Sequence, residues 1–384
     1  MNRKQLLELI ENGESSKIEF KEMGIHPVSL AEEIVAFANF EGGKILIGIS
    51  DAGEITGCNF KQTEEFVVNV CRNNISPSII PNIEKIKLDE FEILSLSISK
   101  EDTVYSTSKG KYFIRVGSTK QIPTQQELLR LFQKRSMIQL DEMPVLKASI
   151  QNINMKLVDQ YLERLGLTPL NIETAMALNS DYRNLSILST IDNRYPSLAG
   201  YLLFCSYPQR TFPSFGIVAG AYSGSNFLSD TIRESDINGT LPEMIEDAIA
   251  FLKLTIPKSS IIKNGIVRED NYLYPIAALR EAIVNAVAHR DYSISGSSIR
   301  LFVFDDRVEI RSPGGLCNTL TIESLLYRQF ARNQNIVSFL SGMGYMERRG
   351  KGILKMQKIS EEFHVKCNIE ITPDKSEFVV VFSK

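Results

Sequence analysis

Apolar residues recur along this chain with two different periods, and the switches between them mark its elements. Residues 3–12 place Leu6, Leu7, Leu9 and Ile10 as an amphipathic helix stopped by Gly13. The period then falls to two: Ile18 and Phe20 alternate with Lys17, Glu19 and Lys21, predicting a strand with one apolar and one charged face. Helical spacing returns at Leu30, Ile34, Val35 and Phe37, over about residues 29–40. Gly42-Gly43 turns the chain into residues 44–51, a nearly continuous apolar run of the kind a central strand carries. A helix over 125–135 closes this half, and polar residues up to Pro144 read as a linker. The expected division is therefore 1–135, a linker at 136–150, and 151–384.

The second half opens with a helix at 155–165, ending at Gly166. A helix-to-strand unit at 196–205, a buried strand at 216–222 and an amphipathic helix at 241–254 follow. After Pro275 the chain predicts one helix running to His289 with no breaker. Glu281, Asn285 and His289 fall four apart on one face of it, and Ile276, Leu279, Ile283, Val284 and Val287 occupy the rest. A polar stripe on an apolar helix is costly unless it meets a ligand, water or partner side chains. Next come a hairpin, 298–304 and 307–311, ending in Ser312-Pro-Gly-Gly-Leu, and a glycine-rich stretch at 342–353. A helix over 354–359 and strands at 368–372 and 378–382 complete an α+β chain.

Composition narrows the options. A chain of 384 residues is long for one core. Its net charge of −3 excludes a uniformly basic binder while leaving room for a local basic surface. Five scattered cysteines form no Cys-x-x-Cys pair, and three histidines argue against a His-rich metal centre. With no apolar run of about 18 residues, no membrane span is expected, and the expected setting is cytoplasmic.

If the two strands of the first half are neighbours, Glu14, Glu19 and Asp51 converge near one sheet end, with Lys17 and Lys21 beside them. Gathered carboxylates repel unless a cation compensates, and such a cluster holding Mg²⁺ or Mn²⁺ can position a phosphodiester and water. The alternative is three solvated acids. From Lys100 to Arg135, eight basic residues stand against three acidic ones. Lys109, Lys111, Arg115 and Lys120, interleaved with Tyr105, Tyr112 and Phe113, could engage phosphates and unpaired bases, or form an ordinary solvated face.

The segments Gly-Glu-Ser-Ser-Lys-Ile-Glu-Phe-Lys and Ala-Phe-Ala-Asn-Phe-Glu-Gly-Gly-Lys-Ile-Leu-Ile-Gly-Ile-Ser-Asp, with Tyr112–Ser118, resemble the Schlafen-type AlbA-like domain over residues 1–135. Eukaryotic Schlafen members cleave tRNA and rRNA with two glutamates and an aspartate, which fall here on Glu14, Glu19 and Asp51. Lys21 joins that implied catalytic set, and Lys17, Lys21, Lys109, Lys111, Arg115 and Lys120 are the implied nucleic-acid contacts. Many bacterial members are described as DNA-binding regulators, so tRNA or other structured RNA, or DNA, is the implied partner, along with further copies of the chain.

The Glu-x-x-x-Asn helix, the strands and the two glycine-rich turns resemble the ATP-binding fold shared by gyrase, heat-shock chaperones and histidine kinases. More closely, Ala278–Tyr292 with Ser312–Leu316 and Arg349–Ile353 is similar to the divergent RecG-like ATP-binding C-terminal family. The resemblance implies a GHKL-like α/β sandwich binding ATP and Mg²⁺. Asn285 would hold the metal and Glu281 would orient or deprotonate water. Gly314 and Gly315 would form the first glycine turn, and Gly350, Lys351 and Gly352 the phosphate lid. His289, with Arg290 and Asp291, is expected mainly to organise the helix end. One departure stands out: the aspartate that reads adenine in the wider superfamily is replaced near Ser312-Pro313, and a hydroxyl is a weaker acceptor than a carboxylate. The combined expectation is an ATP-responsive protein acting on nucleic acid, either a metal-dependent endoribonuclease or a DNA-binding regulator, with a stress or phage-defence effector as a third reading.

Overall fold

A computed structural model places the strand of alternating residues beside the apolar run, as their patterns require. It describes residues 3–135, 138–167, 185–263, 267–316, 320–328, 330–347, 352–374 and 376–384. The chain forms two compact units, Met1–Ile138 and Gln139–Lys384, and its class is α+β.

In the first unit, strands β1 (Ile18–Lys21), β2 (Gly43–Ile47), β4 (Asn82–Leu88) and β5 (Phe91–Ile98) form a sheet of order β1-β2-β5-β4; the short strand β3 (Ile75–Ser76) lies outside it. β1 and β2 run parallel, and the other pairs are antiparallel. Side chains of β2 alternate between two apolar layers, which is why its sequence is apolar throughout. Ile45 and Ile47 pack with Leu30, Ile34 and Phe37 of helix α2 (Pro27–Asn39) and with Val67 and Val70 of α3 (Phe60–Asn73). Leu46 packs on the other side with Phe20 and with Leu6 of α1 (Arg3–Asn12).

The charged face of β1 is not solvated: Glu19, opposite Ile45 in the register, is buried on the α2 side of the sheet. Tyr105 and Phe113, read as possible base-stacking aromatics, are also buried in this core. Asn39, at the end of α2, fixes their segment by donating to the Tyr105 and Phe113 carbonyls at 2.8 and 3.0 Å and accepting from Tyr105 N–H. The short strands β6 (Ser106–Thr107), β7 (Ile114–Val116) and β8 (Thr119–Gln121) follow, then α4 (Gln125–Lys134).

The second unit is a helical layer on a six-stranded sheet. Its strands are β9 (Ile217–Ser223), β10 (Asp230–Ile237), β13 (Ile299–Val303), β14 (Arg307–Pro313), β15 (Lys366–Ile371) and β16 (Glu377–Ser383), in the order β10-β9-β13-β14-β16-β15. Only the β9–β13 pair is parallel. Ile217, Ala219, Leu301, Val303, Ile310 and Val380 face a core shared with α5 (Met155–Arg164), α6 (Leu198–Phe204), α7 (Leu241–Thr255) and α8 (Ile276–His289). Two features escaped the sequence pattern: the exposed edge strand β10, and a separate hairpin of β11 (Lys258–Lys263) and β12 (Val267–Tyr272). The stretch read as a linker from 136 to 150 is, from Gln139 onward, part of this second unit, and Asp141 is fully buried in it.

Candidate functional site

The polar stripe of α8 forms one wall of a cavity of about 330 Å³. Glu281, Asn285 and His289 line it together with Gly314, Gly315 and Gly352, while Ile310, Met356, Phe378 and Val380 supply an apolar floor. The apolar residues on the rest of α8 hold that wall in place: Leu279, Ile283, Val284 and Val287 are buried in the core. Cavity size and lining match small-molecule sites, which are mostly apolar with a few convergent polar groups.

The polar groups are held but not saturated. Asn285 Nδ2 donates to Glu281 Oε1 at 3.4 Å, near the limit for a hydrogen bond. Burial raises the Glu281 carboxyl above its ordinary range, opposed by the charge of Lys355 and the Asn285 hydrogen bond. His289 shows part of its surface to the cavity, yet burial and the neighbouring Arg332 charge hold its pKa down to about 4, so its imidazole is neutral. Gly352 opens helix α10 (Gly352–Glu362), and a Cβ there would collide with Glu281 Oε1. That close approach explains the glycine and brings the amino end of α10 to the cavity, where partly positive amides favour an anion. Gly314 has φ +104°, and a Cβ on it would collide with Arg332 and Asp291.

Sequence reasoning missed several lining residues. Arg332 donates to the Gly315 carbonyl at 2.6 Å and to the His289 carbonyl at 3.4 Å, bracing the glycine turn against the end of α8. Ser312, read as a weak substitute acceptor, donates its hydroxyl to the Ala286 carbonyl at 2.9 Å, which fastens β14 to α8. Arg290 is not a cavity residue: it is buried, donates to the carbonyls of Asp291, Ile294 and Ser297, and lies over Phe215 and Tyr292. Gly350 and Lys351, expected in the phosphate lid, lie outside the described residues.

In the first unit, parallel pairing of β1 and β2 does bring Glu14, Glu19 and Asp51 together, but around an ammonium group. Lys21 Nζ stands 3.9 Å from Glu14, 2.7 Å from Glu19 and 3.6 Å from Asp51. Glu14 also accepts from Phe20 N–H at 2.9 Å. Glu19 and Glu33 share Arg115, at 2.8 and 3.1 Å, and its guanidinium lies over Phe37. Lys120 pairs with Glu32 and Glu33. Among the described residues no group of three or more acids, histidines or cysteines is arranged to hold a metal ion. Lys21 supplies the positive charge that the clustered carboxylates need, and in this arrangement the three acids pair with its ammonium group. The surface reading of Arg115 is corrected, since it is buried between two acids. Lys109 and Lys111 are exposed, and Lys17 is mostly so, 3.9 Å from Glu41.

Two protein families match the chain. Residues 14–124 match "Schlafen, AlbA_2" and residues 296–382 match "Putative ATP-dependent DNA helicase recG C-terminal". The second match starts after α8, so Glu281 and Asn285 precede it. No curated protein matches. Among solved structures, the DIP2311 protein from Corynebacterium diphtheriae is similar over 99% of this chain and 80% of its own, with 18% identity and a TM-score of 0.50. The N-terminal domain of a RecG-related protein from Nitrosomonas europaea, described as a putative ATP-dependent DNA helicase, covers 32% of this chain and 92% of its own, at 22% identity and a TM-score of 0.25. Domains of these two types suggest a nucleic-acid-related, ATP-associated protein. No described helix is long and apolar enough to cross a membrane.

Proposed function

We propose that this chain, which joins a Schlafen AlbA_2 domain to a RecG C-terminal-type domain, binds ATP with Mg²⁺ in its second unit and nucleic acid through its first. The cavity carries this reading: a glycine turn, a helix amino end and the Glu281–Asn285 pair face one space with an apolar floor. The residues fit the ligand. Asn285 turns its amide donor to Glu281, leaving the amide oxygen for a hard cation. Ser312 offers lone pairs to a base amino group, and the α10 amides favour phosphate. The cation would neutralise phosphate charge, while Glu281, its basicity increased by burial, would orient water or take its proton. ATP with Mg²⁺ should raise the melting temperature, and Asn285→Ala should remove the Mg²⁺-dependent part of that rise. No shift with any nucleotide would leave the second unit a scaffold.

For the first unit, Lys21 at the centre of the acids favours binding over metal-dependent cleavage, with Lys17, Lys109 and Lys111 as the phosphate contacts still available. The endonuclease reading, in which Glu14, Glu19 and Asp51 cut structured RNA, is tested at Asp51 because its side chain is 84% exposed and its loss spares the fold. The protein is incubated with tRNA, rRNA and DNA, with and without Mn²⁺ and ATP. Binding without cleavage supports the preferred reading. Cleavage that Asp51→Asn abolishes would replace it with the nuclease reading, in stress or phage defence.

A further inference from the structure

Helix α9 (Gln334–Gly342) begins beside the cavity, and the residue at its start does not cap it. Asn333 is fully buried and spends its side chain on α8, donating at 2.9 Å to the carbonyls of both Ala288 and Arg290. The cap comes instead from 194 residues earlier in the chain. Asp141 Oδ2 accepts from Asn335 N–H at 2.7 Å and Ile336 N–H at 3.2 Å, satisfying two of the free amides that every helix start presents. Glu142 adds a longer contact, accepting from Asn335 Nδ2 at 3.5 Å. Asp141 lies three residues after Ile138, the last residue of the first unit.

From the cap, the contacts run to the cavity without a gap. Asn333 ties the start of α9 to the end of α8, and the adjacent Arg332 reaches the Gly315 carbonyl and faces Asp291 at 3.7 Å. Gly314 N–H donates to Ser376 at 2.7 Å, and Asp291 N–H donates to Pro313 at 2.8 Å, so the glycine turn sits within the same frame. Two charged or backbone anchors on either side of Gly314 leave it no room for a side chain.

We propose that Asp141 is a positioning residue for the nucleotide cavity: through α9, Asn333 and Arg332 it sets the glycine turn at 314–315. This rests on the cavity being a nucleotide site. Because the cap is a carboxylate accepting two amides, an isosteric acceptor should preserve it, whereas truncation should not.

The test uses the full chain. Asp141→Ala should weaken ATP binding with Mg²⁺ about tenfold by calorimetry and speed amide hydrogen exchange at Asp291 and Gly314. Asp141→Asn, which retains an acceptor, should stay within about twofold of the parent in both. Asn335→Pro removes one donor from the other partner, in a first helical turn that tolerates proline, and supplies the same comparison if Asp141→Ala fails to fold. Unchanged affinity and exchange in a folded capless variant would overturn the proposal. If the parent protein binds no nucleotide, the reading of the cavity fails by itself, and exchange at Asp291 and Gly314 alone decides whether Asp141 positions the turn.

Discussion

Each unit gathers polar side chains in surroundings of low polarity, and the two gatherings are built on opposite terms. In the first, Glu19, Glu33 and Arg115 are buried together and meet at 2.8 and 3.1 Å, with Lys21 and Lys120 completing the charge balance. In the second, Glu281 and Asn285 touch weakly at 3.4 Å along an open cavity. A closed set of charges has already found its partners and acts on the fold. A wall of half-satisfied groups around a space is where a ligand gains most, because its groups replace poor hydrogen bonds with good ones. Clustered polar side chains thus point to structure in one unit and to recognition in the other.

The strongest way to break this comparison is at Arg115. Arg115→Met leaves two buried carboxylates facing each other without the cation between them. Removing one member of a buried pair in this manner costs about 3–5 kcal/mol. Urea unfolding of the variant should register that loss in the first unit, and a loss below about 1 kcal/mol would mean that the cluster is not the brace its geometry describes.

The sequence made the second site more legible than the first, for a physical reason. A helix has one period, so Glu281, Asn285 and His289 could be placed on one face from spacing alone, and the glycines marked where backbone must approach. The serine at 312 was visible as a departure; its bond to the Ala286 carbonyl was not, because it joins positions 26 apart in the chain. In the first unit the approach of Glu14, Glu19 and Asp51 followed from two neighbouring strands. The fate of Glu19 depended on Arg115, 96 residues away, and on Glu33 of α2. Alternation along β1 gave the two faces of the strand correctly, but it cannot say that the charged face lies under a helix. Arg332 and Asp141 were missed for the same reason: each acts on backbone brought near only by the complete fold.

Asp141 sharpens the comparison with an effect of intermediate size. It is a buried carboxylate like Glu19, but it is held by two backbone amides instead of a cation, and the titratable groups near it are Glu142 and Tyr292. Burial raises its pKa to about 6 from 3.8, with Glu142 adding to the rise and the amide hydrogen bonds opposing it. The folded state then holds this proton more tightly than the unfolded chain does. Stability attributable to the group is present in full below about pH 4 and is lost as pH rises through 6, a change of about 3 kcal/mol. Asp141→Asn should flatten this part of the pH–stability curve between pH 4 and 7. A curve that keeps the same slope in the variant would assign the dependence to other carboxylates.

The smallest expected change is the most discriminating one. Asn285 is half-buried, and its partner Glu281 lies at 3.4 Å, so Asn285→Ala removes a weak bond and leaves the Glu281 carboxyl still facing the cavity. Such a change at a site without close packing falls within about 0.5 kcal/mol of neutral in the unliganded protein. A truncation at Arg115 and one at Asn285 therefore separate what the two units do with polar groups. The first should lower unfolding stability, and the second should leave it unchanged while removing the Mg²⁺-dependent stabilisation by ATP. If Asn285→Ala instead destabilised the unliganded protein by 2 kcal/mol or more, an amount on the order of a lost buried hydrogen-bond partner, the α8 stripe would belong with the closed network of the first unit. The cavity would then be a gap in the packing with no ligand to fill it.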